Sequence, residues 1–478
     1  MRKKLWHSAS AMSWLAMAIR LSGFAILLPL VLYYFSADEL TVWLLFSAIA
    51  SFQLIIDFGF GQTFSREIAY GFVGRSLGDL HNPSVNQAPL VKEATAKPNW
   101  DSIQSATRVM LWIYLRLALL AILLFGILGT WAATGPIERV ASPNFAWIAW
   151  VIVIVSTAFS IYGSAYASFL IGANEIGLQK RWEALVGGIA LSAQIIVLIT
   201  GAGLLGLVLV AQLGLIVQIL VNRSLCLHVS DGRFGKTTGS NLDKRLLYAM
   251  WPAVWRTAIG SIMSLGVSRG MAITMANILV ASEAATVLLA LRLIQTISQI
   301  SNVPFYIKIP ELNRLRASRQ ISLLAKKSAK YIQTSLFLYV IGAILVDLLG
   351  RQLFAYIGSQ TQFPDHLFWS TLMLAVLAER FGAMHIQLLL SNNTAIAHVA
   401  NGISGIIWIV GLFFLFPIMG SLALPLSMLI AYAGFYAWYP VLPTLRSIPE
   451  VSFWKFEGKA ALIPVALLIT WVIYITPI

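Results

Sequence analysis

The segment FAWIAWVIVIVSTAFSIYGSAYASFLI, residues 145–171, contains no charged side chain. It exceeds the about 20 apolar residues that a helix needs to cross a hydrocarbon core roughly 30 Å thick. The whole chain is similarly apolar, with 59% hydrophobic and 11% charged residues. A soluble domain carries roughly 25% charged residues. The segment therefore predicts a transmembrane helix, and the composition predicts a membrane protein.

Twelve further apolar runs lie along the 478 residues. We predict an all-α, polytopic membrane protein of 12–13 transmembrane helices, arranged as two six-helix bundles around a central cavity. Gly201, Gly203 and Gly206 indicate a tight turn, so the stretch 184–221 is divided into two short spans. The last run either crosses the membrane or lies on it. The predicted spans are 11–35, 40–64, 109–132, 145–171, 184–200, 204–221, 250–278, 284–307, 331–349, 366–391, 395–416, 420–445 and 460–477.

The basic residues are unevenly distributed between the two sets of connections. The N-terminus and every second connection after it hold 25 of the 33 lysines and arginines, whereas the opposite connections hold Arg139 and Arg351. The positive-inside rule places the basic set in the cytoplasm, together with the N-terminus. Basic loops facing anionic inner-leaflet lipids explain the net charge of +14, so we expect no nucleic acid partner. The single cysteine, Cys226, excludes a disulfide within the chain.

Two halves are predicted from a weak internal repeat. Glu39 and Glu283, which are 244 residues apart, each lead into a span. Glu67 and Glu311, which follow the inner ends of these two spans, are also 244 residues apart. Parallel repeats of this kind are typical of transporters. We therefore predict an N-terminal bundle over 1–225, a cytoplasmic linker over 226–249, a C-terminal bundle over 250–445, and a tail over 446–478 with an extra span. The basic segment 310–330 is predicted to be an amphipathic helix in the inner interface.

Six arginines lie within the predicted spans. Insertion of an arginine at the centre of a membrane-spanning helix costs roughly 2.5–3.5 kcal/mol, so most of the six cannot face lipid. Two lie near the inner ends of their spans and can extend to the headgroups. The other four should face a water-filled cavity or a buried acid. The first two are Arg116 and Arg256, and the other four are Arg20, Arg269, Arg292 and Arg380.

Asp57 and Glu379 are the acids that we assign to the spans, which leaves a net charge of +4 there. Such a surplus favours the binding of an anion. Arg292, Gln295, Gln299 and Asn302 have the spacing of one helical stripe, which indicates either a cavity wall or a polar seam between helices.

The chain lacks the sequence motifs that are typical of several classes of enzyme and metal-binding protein. The chain contains no P-loop, no His-Glu-x-x-His motif, no metal-ligand cluster and no nucleophile elbow, so we predict neither an enzyme nor a cofactor or metal. A carrier of an anion agrees with the surplus of +4 in the spans. A cation-coupled drug exporter remains an alternative, although its cavity should be acidic and aromatic. A polysaccharide polymerase or ligase is a further alternative, but the outer loops here are short.

The stretch Asp57-Phe58-Gly59-Phe60-Gly61-Gln62-Thr63-Phe64-Ser65-Arg66 resembles the end of the second helix in Wzx-type polysaccharide flippases. These belong to the multidrug/oligosaccharidyl-lipid/polysaccharide (MOP) exporter superfamily. The turn Gly172-Ala173-Asn174-Glu175 resembles theirs too, as does the layout of the whole chain. The residues that match the motif one by one are Asp57, Gly59, Gly61 and Arg66.

The resemblance implies a flippase of the bacterial inner membrane. Such proteins move undecaprenyl-pyrophosphate-linked oligosaccharides from the inner to the outer leaflet, for O-antigen, capsule or exopolysaccharide. On this hypothesis Arg20, Arg269, Arg292 and Arg380, with Gln295, Gln299 and Asn302, line the substrate cavity. Asp57 or Glu379 would couple transport to H⁺ or Na⁺, or pair with an arginine. A polysaccharide polymerase and a chain-length regulator are the protein partners to expect.

Overall fold

The computed structural model describes residues 9–57, 60–72, 74, 98–235, 248, 267–306, 308–317, 320–359, 361–390, 396–447 and 461–475. Within these ranges the chain is helical and contains no β-strand. The predicted all-α class is confirmed. The chain divides into two compact units, Met1–Ser261 and Ile262–Ile478, which are described separately below. The finer predicted boundaries at 225, 249 and 445, and the arrangement of two six-helix bundles, stay predictions.

The first unit is a bundle in which one long helix, α7, is central. It packs against α4, α5 and α9, and half of its most apolar stretch is buried. In α8 and α9 only 17% of that stretch is buried, as expected of helices that face lipid. The described helices of this unit are α1 (Ala9–Tyr34), α2 (Ala37–Ala50), α3 (Gln53–Ile56), α4 (Phe60–Phe72), α5 (Trp100–Leu124), α6 (Thr130–Glu138), α7 (Pro143–Gly172), α8 (Ile176–Ile199) and α9 (Gly203–Val229), with a π-helical segment Phe125–Gly129 between α5 and α6.

The second unit is built around α14. This helix packs against α11, α13, α16 and α17, and 72% of its most apolar stretch is buried. The described helices are α10 (Val267–Ile278), α11 (Ala281–Tyr306), α12 (Ile309–Ala317), α13 (Ile321–Ile357), α14 (His366–Leu390), α15 (Ala397–Met419), α16 (Ala423–Ala431), α17 (Val441–Arg446) and α18 (Leu462–Ile475). A 3₁₀ turn, Gly420–Leu422, precedes α16, and a π-helical segment, Tyr432–Tyr436, follows it.

Eight helical stretches within the described residues are long and apolar enough to cross a membrane. Seven of them coincide with one predicted span each. The eighth, Ala397–Arg446, covers two predicted spans, and the shorter apolar helix α18 coincides with the last. The chain is therefore a multi-pass membrane protein.

The predicted span 40–64 is not one continuous helix. α2 ends at Ala50, and the Ser51 hydroxyl donates a hydrogen bond to the Ala48 carbonyl at 2.6 Å. The chain then forms the single turn of α3 before α4 begins. Local hydrogen bonds of this kind compete with the helical ladder, and hydropathy does not register them.

The predicted turn between the fifth and sixth spans is confirmed. Gly201 and Gly203 have φ angles of +76° and +63°, which residues with a Cβ rarely adopt. The Ala202 amide donates to the Val197 carbonyl at 3.2 Å and so closes the end of α8. The two glycines therefore allow α8 and α9 to form a tight helical hairpin.

The basic segment 310–330 forms parts of two helices, so the prediction of one amphipathic helix is wrong. α12 ends at Ala317, where the Gln320 amide donates to the Leu315 carbonyl at 2.9 Å, and α13 then begins at Ile321. Glu311 joins the two helices by an ion pair with Lys327 of α13 and also contacts Lys308 at 3.3 Å. Hydrogen bonding from Lys327 lowers the pKa of Glu311 to about 2, which keeps this link ionised near neutral pH.

The two segments of the weak internal repeat occupy equivalent local positions. Glu39 is the third residue of α2 and forms a capping box with Ser36, in which its amide donates to the Ser36 hydroxyl at 3.2 Å. Glu283 is the third residue of α11. Acidic residues in a first turn stabilise a helix N-terminus, so each repeat begins with the same helix-start signal.

Candidate functional site in the membrane-spanning helices

Arg380 lies in the interior of the second unit and is only 1% exposed. One terminal nitrogen donates to the carbonyl and the hydroxyl of Ser298, each at 2.6 Å. The other donates to Asn302 Oδ1 at 2.6 Å and to Ser335 Oγ at 3.1 Å. The guanidinium carbon also lies 5.4 Å from the centre of the Tyr339 ring. One side chain of α14 thus binds both α11 and α13.

The same seam is reinforced by hydrogen bonds that do not involve the arginine. The Ser335 hydroxyl donates to the Ser301 carbonyl at 2.5 Å, which joins α13 to α11. The Tyr339 hydroxyl donates to the Met373 carbonyl at 3.0 Å, which joins α13 to α14. Three helices therefore share one polar junction inside an apolar bundle.

Glu379 precedes Arg380 in α14 and is partly buried. It interacts electrostatically with Arg380 and with four tyrosines of the second unit. Two of these tyrosines belong to the π-helical segment, and such segments are frequent at functional sites. The four are Tyr306, Tyr339, Tyr432 and Tyr436.

The predicted polar stripe of α11 has two different environments. Asn302, near the end of the helix, binds Arg380 and belongs to the seam between helices. Gln299 is exposed, whereas Arg292 and Gln295 are partly buried. Asn302 thus belongs to a seam between helices. A cavity wall at the other three residues stays a prediction.

In the first unit, Asp57 connects the start of α4 to α5. The Tyr114 hydroxyl donates to Asp57 Oδ1 at 2.5 Å, and the Gly61 amide donates to Oδ2 at 3.3 Å. One turn further along α4, the Ser65 hydroxyl donates to the Ser168 carbonyl of α7 at 2.9 Å. The segment 57–66 therefore ties α4 to the two helices on which it packs.

Gly61 lies in a crowded contact, where a side chain would press on its neighbours. A Cβ at this position would lie 3.1 Å from Ser168 Oγ and 3.2 Å from the Tyr114 hydroxyl oxygen. Asp57 and Gly61 thus have a structural explanation that the sequence comparison alone did not provide. Gly59 and the side chain of Arg66 lie outside the described residues.

The structure describes the remaining arginines of the predicted spans to different extents. Arg20 is in α1 and Arg269 in α10, but both side chains lie outside the described residues, as does all of Arg256. Arg116 is exposed on α5, with its guanidinium carbon 3.3 Å from the centre of the Trp112 ring. That placement fits a side chain that extends along the helix surface towards the headgroups.

Asp347 is a third acid within the predicted spans, in addition to Asp57 and Glu379. It lies within the predicted span 331–349 and is 3% exposed in α13. Trp471 of α18 donates to its Oδ2 at 3.1 Å, and Arg351 and His366 lie 3.7 and 3.8 Å from its Oδ1. The predicted surplus of +4 therefore becomes +3. Its position two residues before the end of the predicted span was the signal that could have identified it.

Searches by sequence found no matching protein-family model and no matching curated protein. Solved structures do match. An inward-facing multidrug resistance MATE family transporter of the MOP superfamily has a TM-score of 0.64 at 10% identity, over 92% of this chain and 100% of that one. The fold is that of MOP transporters.

Two further structures of this fold differ in what they are described to do. The lipid II flippase MurJ, in an inward closed conformation, has a TM-score of 0.58 at 13% identity, over 98% of this chain and 93% of MurJ. A MOP superfamily transporter from Pyrococcus furiosus has a TM-score of 0.55 at 12% identity, over 93% of this chain and 98% of its own. That protein is described as having a binding pocket of reverse polarity that suggests a different function. At these identities the likeness establishes the fold alone.

Proposed function

We propose that the chain is a flippase that moves an undecaprenyl-pyrophosphate-linked oligosaccharide from the inner to the outer leaflet of the bacterial inner membrane, for surface polysaccharide assembly. The MOP transporter fold supports this proposal, since it covers almost the whole chain and includes a lipid II flippase. The resemblance of residues 57–66 to Wzx-type flippases supports the same class, and the basic loops favour a cytoplasmic N-terminus.

The observation that carries the proposal is the polar face of α11. Gln299 is exposed and Arg292 is only partly buried, although α11 is apolar enough to cross a membrane. Lipid is an unfavourable environment for an arginine, at a cost of about 3 kcal/mol, and the exposed Gln299 lies on the same helix. We therefore assign this face to a substrate site. The planar guanidinium of Arg292 can donate two parallel hydrogen bonds to the pyrophosphate.

The predicted site residues then take different roles. Arg292, Gln295 and Gln299 contact the lipid headgroup, whereas a part for Arg20 and Arg269 in binding it stays a prediction from the sequence. Arg380 and Asn302 hold α11 against α14, because they bind each other inside the seam. Transport follows from alternating exposure of the site to the two sides of the membrane.

Glu379 is the better of the two candidates for coupling transport to H⁺ or Na⁺. Both carboxylate oxygens of Asp57 already accept hydrogen bonds, from Tyr114 and Gly61, in a junction that stabilises the fold. Glu379 lies on the central helix α14 and interacts electrostatically with Tyr432 and Tyr436 of the π-helical segment, so a change of its charge would act on several helices at once.

A polysaccharide-producing strain that lacks its own flippase provides the test. Arg292→Ala should lower surface polysaccharide by about 10-fold or more, as expected when a charged hydrogen bond is lost. Lipid-linked oligosaccharide should accumulate in the same cells. Arg116→Ala is the matched control and should complement normally, because Arg116 lies on the surface of α5. Normal polysaccharide from Arg292→Ala, at equal protein levels, would contradict the proposal.

A cation-coupled drug exporter is the second candidate, because a MATE multidrug transporter is among the similar folds. The arginine on α11 opposes that function, since it would repel a cationic drug. Overproduction in a drug-sensitive strain should therefore leave resistance to cationic drugs unchanged. A rise in resistance that depends on Glu379 would favour the exporter instead.

A further inference from the structure

A polar pocket of about 520 Å³ opens at one end of the second unit. Its volume lies within the range of roughly 300–1,000 Å³ that small-molecule sites occupy. It lies between the start of α11, the end of α13, the start of α14 and the turn before α16. We call it the outer-end pocket, and its polar or charged lining residues are Ser282, Glu283, Thr286, Arg351, Gln362, Asp365 and Ser421.

The pocket lies on the side of the membrane opposite the basic loops. Arg351 lines it, and Lys327 lies on the same helix, about 36 Å away at 1.5 Å per residue. The positive-inside rule puts Lys327 in the cytoplasm, so the pocket faces the outer side.

The pocket is lined by the guanidinium of Arg351, whose side chain is 32% exposed. Nε and Nη2 of Arg351 are buried and have no hydrogen-bond partner among the described residues. The nearest carboxylate oxygen, Asp347 Oδ1, is 3.7 Å from Nη2. A ligand cannot reach these two nitrogens, so its hydrogen bonds to Arg351 come from the exposed part of the guanidinium.

Two carboxylates line the same space. Asp365 accepts a hydrogen bond from the Phe368 amide at 2.6 Å through Oδ1, and Glu283 lies in the first turn of α11. Carboxylates only accept hydrogen bonds, whereas a guanidinium only donates them. With two acids against one arginine, the lining repels an anion and favours a ligand whose groups both donate and accept.

We infer that the outer-end pocket binds a neutral, hydroxyl-rich saccharide. Each sugar hydroxyl can donate to Glu283 or Asp365 and accept from Arg351. The inference rests on the proposed function, since it assigns the pocket to the saccharide part of the exported molecule after that part reaches the outer side. The two parts of the exported molecule then bind at different sites. Arg292 binds the pyrophosphate, and the outer-end pocket binds the sugar.

Saturation-transfer difference NMR of the purified, full-length protein in nanodiscs tests the inference, with glucose, N-acetylglucosamine and glucuronate as probes. Glucose and N-acetylglucosamine should receive saturation from the wild-type protein, and glucuronate should bind more weakly because of its charge. The double variant Glu283→Gln/Asp365→Asn should bind about 10-fold more weakly or worse. Ser282→Trp, which fills the pocket and leaves its charges in place, should have the same effect.

Glu138→Gln removes a carboxylate from α6 in the first unit and should bind the sugars as the wild type does. Absence of signal from both neutral sugars with the wild-type protein would overturn the inference, as would unchanged binding by both pocket variants. Binding and flipping are measured separately. Sugar binding without flipping would overturn the flippase alone, whereas flipping without sugar binding would overturn the pocket alone.

Discussion

At the scale of single residues, Arg380 shows how a charge is accommodated inside an apolar bundle. Its four hydrogen bonds end on Ser298, Asn302 and Ser335, which lie on two other helices. Both terminal nitrogens of the guanidinium are satisfied, although Nε has no partner among the described residues. A buried charge becomes costly when such a partner is lost. The arginine therefore stabilises the packing of three helices.

Arg380→Ala should destabilise the protein by about 3 kcal/mol or more, because it leaves buried polar partners without a donor. Arg116→Ala removes an exposed arginine and should change stability by less than about 0.5 kcal/mol. Unfolding of the two purified variants in mixed micelles measures the difference. Equal stability of the two would contradict the seam described for α11, α13 and α14.

Tyr114 is the corresponding residue of the first unit. Tyr114→Phe keeps the ring but removes the donor to Asp57, so we expect a loss of about 1–3 kcal/mol. Tyr33, which is 63% exposed, provides the control, and Tyr33→Phe should have little effect. Thermal melting of both variants would show whether the Asp57 junction stabilises the fold, and melting curves that coincide would argue against it.

These residues also show what the sequence could and could not predict about the site. The cost of an arginine in an apolar helix identified Arg292 and Arg380 as unusual. It could not say that Arg380 binds serines up to 82 positions away, because nothing local in the sequence encodes that distance. The motif around Asp57 was recognised by resemblance, whereas its physical basis, a crowded glycine beside a tyrosine hydroxyl, required the packed helices.

At the scale of helices, α18 shows how the end of the chain relates to the membrane. Its Trp471 reaches Asp347, which lies in the half of α13 that ends at the outer-end pocket. Pro464 and Leu468 of α18 are buried, so the helix packs along its length against the second unit. This packing favours a helix that enters the bilayer over one that lies on its surface.

Cysteine labelling of intact spheroplasts tests this arrangement, in a Cys226→Ala background. Tyr474→Cys should react with a membrane-impermeant maleimide without permeabilisation, because Tyr474 is 79% exposed and follows Trp471 by one turn. Lys326→Cys, an exposed position at the basic end of α13, should react only after permeabilisation. Reaction of Tyr474→Cys only after permeabilisation would place the end of α18 in the cytoplasm.

Hydropathy predicted the helices well because a span needs only length and apolar composition. The interruptions were harder to predict. The break between α2 and α4 depends on the Ser51 hydroxyl and the Asp57 carboxylate, and the break before α13 depends on a backbone bond from Gln320. Each break depends on one or two local hydrogen bonds, which do not change the average hydropathy of a span.

At the scale of the whole molecule, the charges fall into separate groups with separate roles. The positive-inside rule predicts that the basic loops orient the chain, and polar junctions at Asp57 and Arg380 hold the helices of each unit together. On the proposed function, the polar face of α11 binds the anionic headgroup of a lipid through Arg292.

Flipping in proteoliposomes tests that claim most directly. The purified protein is reconstituted with a fluorescent undecaprenyl-pyrophosphate-linked oligosaccharide, and a membrane-impermeant quencher reports how much reaches the outer leaflet. The wild-type protein and Arg116→Ala should flip the lipid, and Arg292→Ala should flip it at least about 10-fold more slowly. No flipping by the wild-type protein, or the same rate with and without Arg292, would contradict it.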